Sequence, residues 1–237
     1  MKKTITVLLI SLAINNSAFS DSLLVNKTDD GKATVWLNEK YMRFTFTEEK
    51  QNDDSPAPSA DMITNFSSGK TYMINHKEKV LLDTSSTPMF SGGMMPEREP
   101  ANNPDILYTR KGAGETIASL KTTRYEVSIK GKKCFDMWLT KDSAYTRIIK
   151  KIDSAQGGGG DAYGDICENI HENSTSYDEK YGYPVKTITA DGKLNMLVVE
   201  FKTNVNAPRK YLSFPAGYKI MTMTEMMQKG RPPGNDQ

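Results

Sequence analysis

The pair Asp191-Gly192 sits between two runs of alternating residues, Val185 to Thr189 and Leu194 to Thr203. Asp-Gly adopts the positive φ angles of a two-residue turn whose twist matches antiparallel strands, so this segment is constrained to a β-hairpin. The same arrangement occurs twice more. Met62 to Phe66 and Thr71 to His76 flank Ser67-Ser68-Gly69-Lys70, and Thr123 to Ile129 and Lys133 to Thr140 flank Lys130-Gly131-Lys132. Tyr41 to Phe46 alternates as well, with Met42, Phe44 and Phe46 on one side and Tyr41, Arg43 and Thr45 on the other. Consecutive hairpins build a meandering antiparallel sheet and exclude a doubly wound parallel one.

The period changes between the second and third hairpins. Tyr145, Ile148, Ile149 and Ile152 form one helical stripe within Ser143 to Ile152, and Ile166, Cys167 and Ile170 form another within Asp161 to Glu172. Gly157 to Gly160 separates the two as a joint. The cysteines are Cys134, on a predicted strand, and Cys167, on the second predicted helix. In an oxidising compartment a bridge between them closes a loop of about 34 residues, which stabilises by ~4 kcal/mol on the chain-entropy estimate. Two buried thiols or a pair of metal ligands are the alternatives, without a Cys-x-x-Cys spacing to favour the latter. The bridge pins the helix to the strand and sets both helices over one face of the sheet. Glu48 to Ala60 reads as irregular, as does Thr84 to Asp105, whose Pro88, Pro96, Pro100 and Pro104 remove ladder donors. Residues 229–237 read as a frayed, disordered tail.

The N-terminus combines Lys2 and Lys3, the apolar run Val7 to Ile14, and Ala18-Phe19-Ser20. That is the pattern of a signal peptide over residues 1–20, with a cut after Ser20 and a periplasmic or secreted product. The apolar run is about half the ~20 residues a spanning helix needs, so no stable membrane span is expected. Loss of Lys2 and Lys3 brings the 31 Lys and Arg level with the 29 Asp and Glu. A neutral chain offers no footprint for nucleic acid. The remainder suits a single domain over residues 21–228.

Catalytic signatures are not found: the mature chain has His76 and His171 as its histidines, and there is no Gly-x-Ser-x-Gly elbow, His-Glu-x-x-His pair or phosphate loop. His76 closes a strand and His171 sits near a helix C-terminus, both structural or solvated positions. Asp153, Asp161, Asp165 and Glu168 match no calcium loop. The expectation is a non-enzyme without cofactor or metal.

The segments KYMRFTF, MITNFSSGKTYMINHKEK, GAGETIASLKTTRYEVSIKGKKCFDMWLTKD, YGYPVKTI and LSFPAGYKIM together resemble a family of uncharacterised bacterial exported proteins, a domain of unknown function grouped with the LolA/LolB-like lipoprotein carriers. The resemblance spans most of Thr34 to Met227. It implies an α+β fold in which a curved, unclosed antiparallel sheet forms a half-barrel, with helices covering its concave face over an apolar cavity for acyl chains. The long proline-rich loop, the glycine run and the Met-rich end depart from the carriers.

On that frame Trp36, Met42, Phe44, Met62, Phe66, Tyr72 and Trp138 line either a cavity or a filled core. Met221, Met223, Met226 and Met227 are crowded behind the Phe214 to Tyr218 turn. Methionine serves adaptable apolar surfaces and also ligates soft copper(I), so Met221 and Met223 are read first as cavity lining. The turn re-aims the strand after it toward the sheet. The expected function is binding of an apolar guest, a lipid or lipoprotein acyl chain. The alternatives are an envelope structural or interaction protein with a filled core, and a Met-rich periplasmic copper binder.

Overall fold

The computed structural model describes residues 20–48, 59–84, 106–156, 167 and 178–229. In chain order the described strands are β1 (Ser22–Lys27), β2 (Gly31–Leu37), β3 (Tyr41–Glu48), β4 (Ser59–Asn65), β5 (Lys70–Asn75), β6 (Val80–Asp83), β7 (Ile106–Ala113), β8 (Thr123–Ile129), β9 (Lys132–Thr140), β10 (Tyr183–Thr189), β11 (Leu194–Thr203) and β12 (Lys219–Thr222). The helices are α1 (Ser143–Gln156), α2 (Asp178–Tyr181) and α3 (Met223–Lys229). All the strands join one sheet in the order β12-β6-β5-β4-β3-β2-β1-β11-β10-β9-β8-β7. The sheet is open, with β12 and β7 at its edges. Each predicted hairpin is present: Gly69 and Gly192 take φ of 66° and 89°, and Lys130 and Gly131 both turn left-handed at 48° and 78°. β1 lies in the middle, between β2 and β11, although it opens the domain.

Curvature follows from what α1 touches. Its Tyr145, Ile148 and Ile152 share one buried cluster with Leu24, Val35, Leu37, Met42, Trp138, Val185 and Val198. β3, which carries Met42, and β9, which carries Trp138, are five places apart in the sheet. On a flat sheet that is about 24 Å, whereas a helix with its side chains is about 10–12 Å across. One helix reaches both flanks because the sheet curves around it, and the result is an unclosed half-barrel. The helix begins where Asp142 accepts hydrogen bonds from the backbone N–H of Ala144 (3.0 Å) and Tyr145 (2.9 Å), an N-cap. Tyr145 Oη donates to the carbonyl of Pro184 at 2.8 Å and fixes the helix against β10.

The disulfide between Cys134 and Cys167 is formed. The rest of the predicted second helix, 161–172, lies outside the described residues, as do residues 1–19 of the predicted signal peptide over 1–20, His171, most of the proline-rich loop and the tail from 230. Both helices were expected over one face, yet Cys167 packs with Phe135, Met137 and Leu139, which alternate along β9 with the Trp138 of the α1 cluster. Successive strand residues point to opposite faces. The bridge therefore holds Cys167 on the face of β9 that Trp138 does not use.

β12 is the one departure from antiparallel pairing among the described strands. It runs parallel to β6, Lys219 to Thr222 beside Val80 to Asp83. α3 follows at once through a capping box. The N–H of Glu225 donates to Thr222 Oγ1 at 3.2 Å, and the Glu225 carboxylate accepts from the N–H of Thr222 at 2.7 Å. The backbone hydrogen bond from Thr222, then that from its hydroxyl, holds the Glu225 carboxyl below its ordinary value.

Candidate functional site

The register places one apolar row across the concave face. Leu24 stands beside Val35, Val35 beside Phe44, Phe44 beside Met62, Met62 beside Met73, Met73 beside Leu82, and Leu82 beside Met221. Side chains paired across neighbouring strands share a face. α1 covers the Leu24 to Phe44 part of this row. Met62, Met73, Leu82 and Met221 continue past the α1 cluster, and beside them lies a cavity of about 340 Å³ lined by Met73, Asn75, Glu78, Val80, Leu82, Met221 and Met226. Its floor is the sheet and one wall comes from α3. Met226 is 41 % exposed at this wall.

The residues singled out in the sequence fall into three groups. Met42, Phe44, Phe66 and Trp138 pack with α1, in a part of the trough that protein side chains fill. Met62 and Met221 belong to the uncovered end of the row, and Met221 lines the cavity; Met223 opens α3, half-buried. Trp36 and Tyr72 stand on the opposite face, in the row Trp36, Arg43, Ile63, Tyr72 and Asp83. The lining residues Met73, Val80 and Leu82 were outside the sequence reading of the site, and Met226 was named there as part of the Met-rich end but not among the site residues. The hairpin at Gly69 pairs Met73 with Met62 and was the signal for the first of them.

The opposite face holds a polar cluster that the sequence did not announce. Arg43 donates from Nε and Nη2 to the two Asp61 carboxylate oxygens at 2.8 and 2.6 Å, and from Nη1 to the carbonyl of Lys210 at 2.6 Å. His76 Nε2 lies 2.7 Å from Asp61 and its Nδ1 lies 2.8 Å from Tyr218 Oη. Arg43 and Asp61 are buried. Tyr211 stacks on Trp36 with centroids 5.6 Å apart, and Phe214 meets Tyr41 and Tyr72 edge-on at 5.6 and 5.2 Å. These contacts strap Lys210 to Tyr218 across the convex face and deliver β12 to the edge beside β6. His76 thus has a structural position, tied at both ring nitrogens.

Trp138 lies between two cations, with Lys186 Nζ 4.5 Å and the Arg124 guanidinium 5.1 Å from its ring. Lys186 pairs with Glu115 at 2.5 Å, and Arg124 with Asp136 at 3.1 Å. Burial opposes the Asp136 charge, but hydrogen bonds from Lys133 and Arg124 outweigh it and hold that carboxyl below its ordinary value. Gly114 is required here, because a Cβ on it would come within 2.7 Å of the Trp138 ring. Next to it, Ile117 and Leu120 pair with each other and enter the α1 cluster, joined by Ala118 and Ser119 at φ 47° and 69°. Among the described residues no group of three His, Cys, Asp or Glu is placed to hold a metal ion.

A family described as a domain of unknown function (DUF4412) matches residues 24–218, in agreement with the resemblance drawn from the sequence. No curated protein matches. Among solved structures, the chain is similar to MucB at 10% identity and a TM-score of 0.38, over 86% of this chain and 60% of that one. It is similar to MucB in complex with MucA(peri) at 10% identity and 0.39, over 87% and 57%. The complex of Pseudomonas aeruginosa MucA/MucB gives 10% identity and 0.39, over 86% and 58%. The chain therefore spans less than two thirds of each of these structures' own length.

Proposed function

The chain belongs to the DUF4412 family, and from that premise we propose that it is an exported, non-enzymatic protein that holds an apolar guest, a lipid or an acyl chain, at the uncovered end of its concave face. The observation that carries this reading is the cavity of about 340 Å³ with three methionines, a valine and a leucine in its lining. Its size falls within the ~300–1,000 Å³ of ligand pockets. Each methylene buried there contributes ~0.8 kcal/mol, so an alkyl chain needs no charged contact to be retained, and methionine adapts to guests of differing shape. The disulfide supports an oxidising compartment. No helix among the described residues is long and apolar enough to cross a membrane.

Native mass spectrometry of the protein purified from the periplasm tests the reading, together with binding of an added saturated fatty acid. Retention of an apolar mass, reduced in Met221→Asp, supports it. A clean apo mass with no uptake of the fatty acid by the wild type would sink it. A second reading is favoured by α1 itself, which fills the trough between β3 and β10 with Tyr145, Ile148 and Ile152. In that reading the chain is an envelope interaction protein with a solid core, and a periplasmic pull-down returns a partner protein in place of a lipid.

A further inference from the structure

The cavity has more sulfur around it than an apolar lining requires. Met73 and Met221 occupy the same cross-sheet row with Leu82 between them, and Met226 approaches from α3 to line the same space. The two outer strands are two spacings apart, about 9.6 Å, a span within the combined reach of two methionine side chains and an ion held between them. Met62 is the next member of the row. A capping box sets the first turn of α3 against the end of β12, so the third thioether is delivered by a fixed turn.

Neutral thioethers are soft donors that select soft ions. The remaining polar groups of the lining are Asn75 and Glu78, which is neither the thiolate and imidazole set of a zinc site nor the six or more oxygens that calcium takes. From this convergence we propose that Met73, Met221 and Met226 bind a soft monovalent metal ion, copper(I) or silver(I), in the cavity. The site differs from the pair Met221 and Met223 that the sequence suggests, because the fold substitutes Met73 and Met226 for Met223. It depends on the cavity but not on an apolar guest.

Silver(I) is the redox-stable probe, since it needs no reductant that would open the disulfide. Isothermal titration at pH 7 is expected to show one ion per chain. The triple variant Met73→Leu, Met221→Leu, Met226→Leu keeps the lining apolar and close in volume but removes all three sulfurs. It is expected to lose at least 100-fold in silver affinity with a circular dichroism spectrum that matches wild type. Each single Leu variant, checked by circular dichroism for an intact fold, is expected to lose about tenfold. Unchanged silver affinity in the triple variant, or no stoichiometric binding by wild type, overturns the proposal. Neither result bears on guest binding, which fatty-acid uptake by the wild type reports separately.

Discussion

Replacing Asp61 with Leu strands a buried guanidinium. Arg43 directs two N–H groups at that carboxylate, at 2.8 and 2.6 Å, from a side chain that is 8 % exposed. Removing one partner of a buried pair typically costs about 3–5 kcal/mol, because the other charge stays desolvated and unpaired. For a domain of this size each kilocalorie moves the melting temperature by about 2–4 °C, so a fall of about 6–20 °C is expected. Replacing both partners, Arg43→Met with Asp61→Leu, removes the unpaired charge and is expected to recover most of the loss. His76, with a side chain 54 % exposed, hydrates when its carboxylate partner is gone. The carbonyl of exposed Lys210 does the same without Arg43. Urea denaturation of the wild type, both single variants and the double completes the cycle. Limited proteolysis supplies a second readout, since loss of the Arg43 hydrogen bond to Lys210 frees the strap and exposes 205–218 to cleavage. An Asp61→Leu cost below about 1 kcal/mol, or a double variant no more stable than the singles, would refute the reasoning.

Three further outcomes follow from other parts of the fold. Reducing the Cys134 to Cys167 bridge, or replacing both with Ala, is expected to lower stability by about 4 kcal/mol; a denaturation midpoint unmoved by reductant contradicts this. Ser119 is exposed and left-handed at φ 69°, so Ser119→Gly is expected to gain about 1 kcal/mol, and a loss in urea denaturation tells against strain at that turn. Burial pushes the Asp153 carboxyl up. A raised native pKa gives stability that is present below the ordinary carboxyl value near 3.9 and lost as pH rises through the raised one. Asp153→Asn is therefore expected to be more stable than wild type at pH 7 and level with it near pH 3. An equal difference at both pH values shows that titration at this site is not responsible.

Strands were legible where their two faces differ or where a turn signal flanks them, as it does for β9 and β11. β5, β8 and β10 alternate because one side is more deeply packed than the other, and their turn residues announce the hairpins. β1 and β6 were not read, and both are buried at consecutive positions, Ser22 to Val25 and Val80 to Asp83, as strands covered on both faces are. Period two disappears under such burial. β7 failed for the opposite reason: it is an edge strand exposed along most of its length. The site was half visible. Its methionines could be seen, but the parallel pairing of β12 with β6 links residues far apart in the chain and leaves no local mark. The separation of Trp36 and Tyr72 from Met42 and Phe44 was within reach, since a tight turn at Asn38 to Lys40 pairs Trp36 with Arg43 and not with Phe44. The Arg43 and Asp61 pair was not, because each is a common charged residue until the strap covers it.

The position of β1 sets an order of events for the emerging polypeptide. Ser22 is paired on one side with Leu37, close behind it, and on the other with Thr203. Strands one to six form one wing and strands seven to eleven the other, and the seam joining them closes only once the eleventh strand has been made. Until then the first strand presents an unpaired, apolar border to any passing chain, a known route to edge-to-edge aggregation. A polypeptide halted before the eleventh strand keeps that border open.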